Sequence, residues 1–129
     1  MHDRATFLAR LAGLATVVAV LAAGCLGSTD DDRPAKWSFI SATITEPSCA
    51  TVNCHSQITQ RASVDLHARD IGFYTLKNGF YVIPNDAADS SLIYLLNASG
   101  SRRMPPDNPL PSADVLLIEK WIDDGATNE

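Results

Sequence analysis

Apolar and polar positions alternate with changing period along this chain, and each change marks a boundary. Leu11 to Ala23 is an uncharged apolar run behind Arg4 and Arg10, followed by Gly24 and Cys25. A basic start, an apolar middle and small closing residues make residues 1–24 a secretory signal. The run is too short to span a bilayer comfortably. Residues 25–36 are mostly polar and lack periodicity, which predicts a flexible tether in which Asp30-Asp31-Asp32 is a solvated charge run. Helical spacing begins at Trp37. With Ile40 and Ile44 it predicts a helix over 35–45, ended by Pro47. Ile71, Tyr74 and Leu76 predict a second helix over 66–78, stopped by Gly79. Asp89 or Ser90 caps a third, with Leu92, Leu95 and Leu96 at i, i+3 and i+4. Ser112 precedes the fourth, Ala113 to Asp124, where Leu117, Ile118, Trp121 and Ile122 share one face and Gly125 follows. Phe80-Tyr81-Val82-Ile83 is strand-like, but one isolated strand makes no sheet. Phe73, Tyr74, Phe80 and Tyr81 are expected in the core. The sum is an all-α domain of about four short helices over residues 37–127, with long Pro-rich loops, above all 104–111.

Composition narrows the function. The chain has 129 residues, room for one domain, and no internal repeat. A folded part of about ninety residues is small enough for a covalently held cofactor to count as core material. The net charge is −5 and no basic stripe is present, which excludes nucleic acid as a partner.

The chemistry concentrates in Cys49-Ala50-Thr51-Val52-Asn53-Cys54-His55. Two cysteines closing on a histidine are the arrangement that attaches a c-type haem: the thiols add to the haem vinyl groups and the histidine supplies the proximal ligand. Four residues separate these cysteines, where the common motif has two. A helical turn would set the thiols on opposite sides. Residues 50–53 must therefore loop out, and Asn53, tolerant of left-handed backbone, is placed to help. Met104, in Arg102-Arg103-Met104-Pro105-Pro106, is the candidate ligand for the other face of the iron. Arg102 and Arg103 either pair with haem propionates or are solvated loop charges. Two other chemistries stay open: a Cys49–Cys54 disulfide stapling the loop, with His55 an ordinary loop residue, and a zinc site from Cys49, Cys54, His55 and His67. Without haem, Met104 is core filler. No pairing of nucleophile and base suggests catalysis.

Leu21-Ala22-Ala23-Gly24-Cys25 resembles a bacterial lipobox. The resemblance implies that Cys25 becomes the first mature residue and is acylated on its sulfur and its amine. More than one acyl chain is what stable anchoring requires, and lipidation of Cys25 leaves Cys49 and Cys54 as an even pair.

Cys49 to His55, the Pro84-Asn85-Asp86 turn leading into Ser91 to Leu96, Arg103-Met104-Pro105, and Leu116 to Ala126 together resemble small c-type cytochrome domains. They are most similar to cytochrome c-like bacterial lipoproteins, which carry this Pro-x-Asp turn and a closing Trp-Ile-x-x-Gly-Ala. The resemblance implies one covalently attached haem c, with thioether bonds at Cys49 and Cys54 and iron ligation by His55 and Met104. Leu117, Trp121 and Ile122 would pack the last helix on the first and wall the haem. The implied function is a mono-haem electron carrier that serves redox partner proteins. It would be tethered to the cell envelope through Cys25, in the outer membrane facing the periplasm or the surface. Methionine ligation would fill the iron position that substrate chemistry needs open, so no enzyme is implied. A redox-enzyme subunit relaying electrons is a neighbouring reading. The alternative is a haem-free module that keeps the fold and the Cys49–Cys54 disulfide, serving as a binding or structural surface lipoprotein.

Overall fold

The computed structural model describes residues 31–129. The expected signal segment, Cys25 and the first part of the expected tether lie outside the described residues. No described helix is long and apolar enough to cross a membrane.

Four helices make the domain, and the described residues contain no strand. Helix α1 runs over 37–49 in three continuous pieces: an α-helical turn Trp37–Ile40, a π-helical stretch Ser41–Thr45, and a second α-helical turn Glu46–Cys49. The sequence predicts that Pro47 ends this helix, but the chain stays helical through it to Cys49. Proline lacks an N–H and clashes with the carbonyl four residues back in an α-helix. Here the ladder is widened to i→i+5 around it, with Glu46 N–H donating to Ser41 O and Ala50 N–H to Thr45 O. Helix α2 is Arg69–Asn78, α3 is Ser91–Asn97 and α4 is Ser112–Asp123.

The core is aromatic at its centre. Trp37 of α1 stacks on Trp121 of α4 at 4.9 Å, and Phe73 of α2 meets both rings from the side. Each indole N–H finds a carbonyl: Trp37 Nε1 donates to Arg69 O at 2.7 Å and Trp121 Nε1 to Thr127 O at 2.9 Å. Such pairing is what lets Trp be buried without cost to its N–H. Gly72 lets α2 approach this stack, since a Cβ there would come within 3.2 Å of Trp37 Cζ2. Leu117, Ile118, Trp121 and Ile122 are all buried, as the periodicity of α4 predicts.

The aromatic expectation holds only in part. Phe73 and Tyr81 pack against the core, but Tyr74 is 57% exposed and Phe80 82% exposed. Helix α2 buries Gly72 and Leu76, which turns Ile71 and Tyr74 outward, and Phe80 leaves the helix end at φ 57. The strand-like stretch becomes a turn with a single Ile83–Asp86 bridge. Asn85 is left-handed there, φ 63, and its N–H donates to Ile122 O at 2.8 Å, while Asp123 Oδ1 accepts from Ala87 N–H. The Pro-x-Asp turn is thus docked on the C-terminal end of α4. Ser90, the residue before α3, is buried and its hydroxyl donates to Asp86 O at 2.7 Å, tying that turn to α3. Before α1, Ala35 packs against the core and Arg33 pairs with Asp114 of α4 at 2.5 Å.

Candidate functional site

A cavity of about 280 Å³ opens in the domain, and neither Trp37 nor Trp121 lines it. Its walls are apolar: Leu76 of α2, Leu92, Leu95 and Leu96 of α3, and Val64 and Leu66 from the loop before α2. Cys49, Cys54, His55 and Met104, from two separate stretches of chain, all line it. Leu117, Trp121 and Ile122 do not. They pack α4 on α1 as expected, but the residues of α3 stand where they were expected to wall the haem.

Local structure delivers each of the four. Cys49 is the last residue of α1, and the four intervening residues loop out, with Val52 73% exposed. Backbone bonds close this loop: Cys54 N–H donates to Thr51 O at 2.9 Å and His55 N–H to Cys49 O at 3.1 Å. The wide spacing is thereby absorbed, and both sulfurs reach one cavity. Asn53 takes no part through a left-handed backbone. The left-handed positions lie further on, at Gln60, Ala62 and Ser63. Cys49 and Cys54 are free thiols. Burial, and then the neighbouring Cys54, push the Cys49 thiol up to about 11.

His55 is held by its ring and its backbone. Nδ1 lies 3.2 Å from Val64 O. A carbonyl only accepts, so Nδ1 is the donor of this bond, and in the neutral imidazole Nε2 is then the nitrogen that keeps a lone pair. Leu66 N–H donates to His55 O at 2.9 Å. Met104 is fixed by its own N–H, which donates to Leu95 O at 3.0 Å. Next to it, Arg103 Nη2 donates to Pro106 O, whereas Arg103 Nε is buried without a protein acceptor. Arg102 donates instead to the Tyr94 hydroxyl at 3.1 Å.

His67 stands apart. Its Nδ1–H donates to Asp65 Oδ1 at 2.6 Å, and it does not line the cavity. Among the described residues no three His, Cys, Asp or Glu side chains are grouped to hold a metal ion, so the zinc set is not assembled there. Asp65 also accepts from Gln60 Nε2 at 3.1 Å. Burial works to raise its carboxyl, but the bonds from His67 and Gln60 hold it below the ordinary carboxylate range. Sequence reasoning does not find Asp65, Gln60 or the Val64 carbonyl, and an acid two residues before a histidine is the one faint signal of them.

The donor set suits a c-type haem. Two thiols, an imidazole and a thioether line one apolar space. No curated protein and no solved structure gives a significant match to the chain. Residues 52–108 match the family described as Planctomycete cytochrome C, a stretch that takes in Cys54, His55 and Met104 and leaves out Cys49 and α4. That match, over an all-α body, supports a small cytochrome c-like domain in this chain.

Proposed function

We propose that this protein is a mono-haem c-type cytochrome that carries electrons. The observation that supports it best is the convergence of Cys49, Cys54, His55 and Met104 on one apolar cavity. Cys49 and Cys54 would hold the haem covalently, and His55 and Met104 would ligate its iron. Haem bound there supplies one-electron chemistry, with a potential raised by methionine relative to a second histidine. The leucines of α3 give the cavity an apolar wall, and the Val64 carbonyl accepts from His55 Nδ1. We also propose that acylated Cys25 tethers the domain to the lipid bilayer, in the outer membrane facing the periplasm or surface, where redox partner proteins reach it.

The test is expression of the full chain with a cytochrome c maturation system, followed by denaturation, haem staining and intact-mass measurement. Stain that survives denaturation, with a mass increased by one haem, is the expected result. No stain, and a mass two hydrogens light, would establish the haem-free disulfide form and overturn the proposal. In the same cells an acyl-chain probe should label the wild type and not Cys25→Ser. Equal labelling of both would remove the tether.

A further inference from the structure

Residues 60–67 form a strap across the Cys54-His55 segment. Arg61 N–H donates to Cys54 O at 3.0 Å, Leu66 N–H to His55 O at 2.9 Å, and His55 Nδ1–H to Val64 O at 3.2 Å. The strap starts in a conformation its sequence does not favour. Gln60, Ala62 and Ser63 have φ of 39, 57 and 62, and none is glycine. Left-handed backbone of this kind persists only where surrounding contacts over-determine it, and such outliers concentrate at functional sites.

Asp65 supplies those contacts. It is 9% exposed and does not line the cavity. Its Oδ2 accepts from Gln60 Nε2 at 3.1 Å, at the start of the left-handed run. Its Oδ1 accepts from His67 N–H at 3.1 Å and from His67 Nδ1–H at 2.6 Å, at the far end of the strap. Gln60 Nε2 is further anchored to Gln57 O at 2.9 Å. One carboxylate therefore joins both ends of the strap, and Val64 lies between them.

We propose that Asp65 is a positioning residue for His55: by clamping Gln60 to His67 it holds the Val64 carbonyl against Nδ1 and so leaves Nε2 as the ligating nitrogen. The inference rests on the haem reading above for the purpose of that nitrogen. The clamp itself is testable without haem.

The experiment uses the full chain in haem-free and haem-loaded forms, with Asp65→Ala, Asp65→Asn and Gln60→Ala. In Asp65→Asn the side-chain carbonyl can still accept from His67, but the new amide would oppose that of Gln60. Asp65→Asn and Gln60→Ala therefore cut one end only. In the haem-free chain, nitrogen NMR of the imidazole should show His55 as a single Nδ1–H tautomer in wild type and as a mixture in each variant. The amides of Arg61 and Leu66 should exchange about tenfold faster, while those of α4 stay protected. In the loaded chain the variants should shift the reduction potential. A wild-type His55 tautomer in all three variants overturns the proposal. So does faster exchange spread equally over α4, because Asp65 would then merely support the whole domain. Absence of haem attachment with a disturbed tautomer would leave the clamp standing and sink only the haem reading.

Discussion

Burial at a helix end decides how the Cys49 sulfur behaves. The thiol sits at the C-terminus of α1, where the negative end of the helix dipole also opposes a thiolate. Burial and Cys54 carry it from 9.0 to about 11. The thiolate is the reactive form, so at about pH 8 on the order of one molecule in a thousand has Cys49 ready to react. In the haem-free chain, alkylation of Cys49 followed by peptide mass mapping should rise about tenfold per pH unit up to about pH 10. The raised value also makes stability depend on pH. A thiol whose folded value lies above its unfolded value contributes fully below the unfolded value of 9.0, and the contribution is lost as pH rises toward about 11. A difference of that size corresponds to about 2–3 kcal/mol. The difference in urea stability between wild type and Cys49→Ala should shrink by roughly that amount over this range, and a flat difference would contradict the burial argument.

Pro47 shows how an element can obey its residues and still surprise. Proline within a periodic run reads as a stop, because the α ladder cannot pass it. Helix α1 passes it by changing ladder: the i→i+5 bonds of residues 41–45 give the ring room, and the chain stays helical as far as Cys49. Single-turn π stretches are rare and frequent at functional sites. The widened turn sets the angle at which Cys49 leaves the helix. Pro47→Ala restores a donor and should let the α register return, rotating Cys49 by about 100° relative to the cavity. Haem-free Pro47→Ala should then show faster alkylation of Cys49 than wild type, whereas an unchanged rate would mean that the π turn owes nothing to Pro47. Other elements are legible in the sequence because their signals are local. The apolar face of α4 and its closing Gly125, at φ 106, are both readable from spacing. That the cysteines, His55 and Met104 line one cavity also agrees with the sequence, where their residue types group them. The strap is not legible there, because its work is done by a backbone carbonyl and by a side-chain clamp between loop residues. The exposure of Tyr74 and Phe80 escapes the pattern for a related reason. Which face α2 buries is set by Gly72 against Trp37, and a glycine adds nothing to a hydrophobic pattern.

At the scale of the whole molecule, the described body divides its labour between two groups of residues. The tryptophan stack, Phe73 and the turn docked on α4 hold α1, α2 and α4 together, and none of Trp37, Phe73 or Trp121 reaches the cavity. The cavity is built by α3, the strap and the Met104 loop, which meet the first group through shared residues such as Leu76. This separation predicts that stability and ligation respond to different substitutions. Trp121→Ala removes a fully buried ring and should cost about 3–5 kcal/mol in urea unfolding of the haem-free chain. Met104 is half-buried at the rim of the cavity, so Met104→Ala should cost no more than about 1 kcal/mol there. In the haem-loaded chain the order reverses. Met104→Ala should keep the haem attached, abolish the weak sulfur-to-iron band in the far red and lower the reduction potential. Pro105 and Pro106 favour this outcome, because they restrict the backbone around the sulfur before any ligand is present. A side chain already ordered gives up less entropy on binding iron. If band and potential are unchanged in Met104→Ala, Met104 is packing alone, and the sixth ligand must be sought elsewhere on the cavity wall.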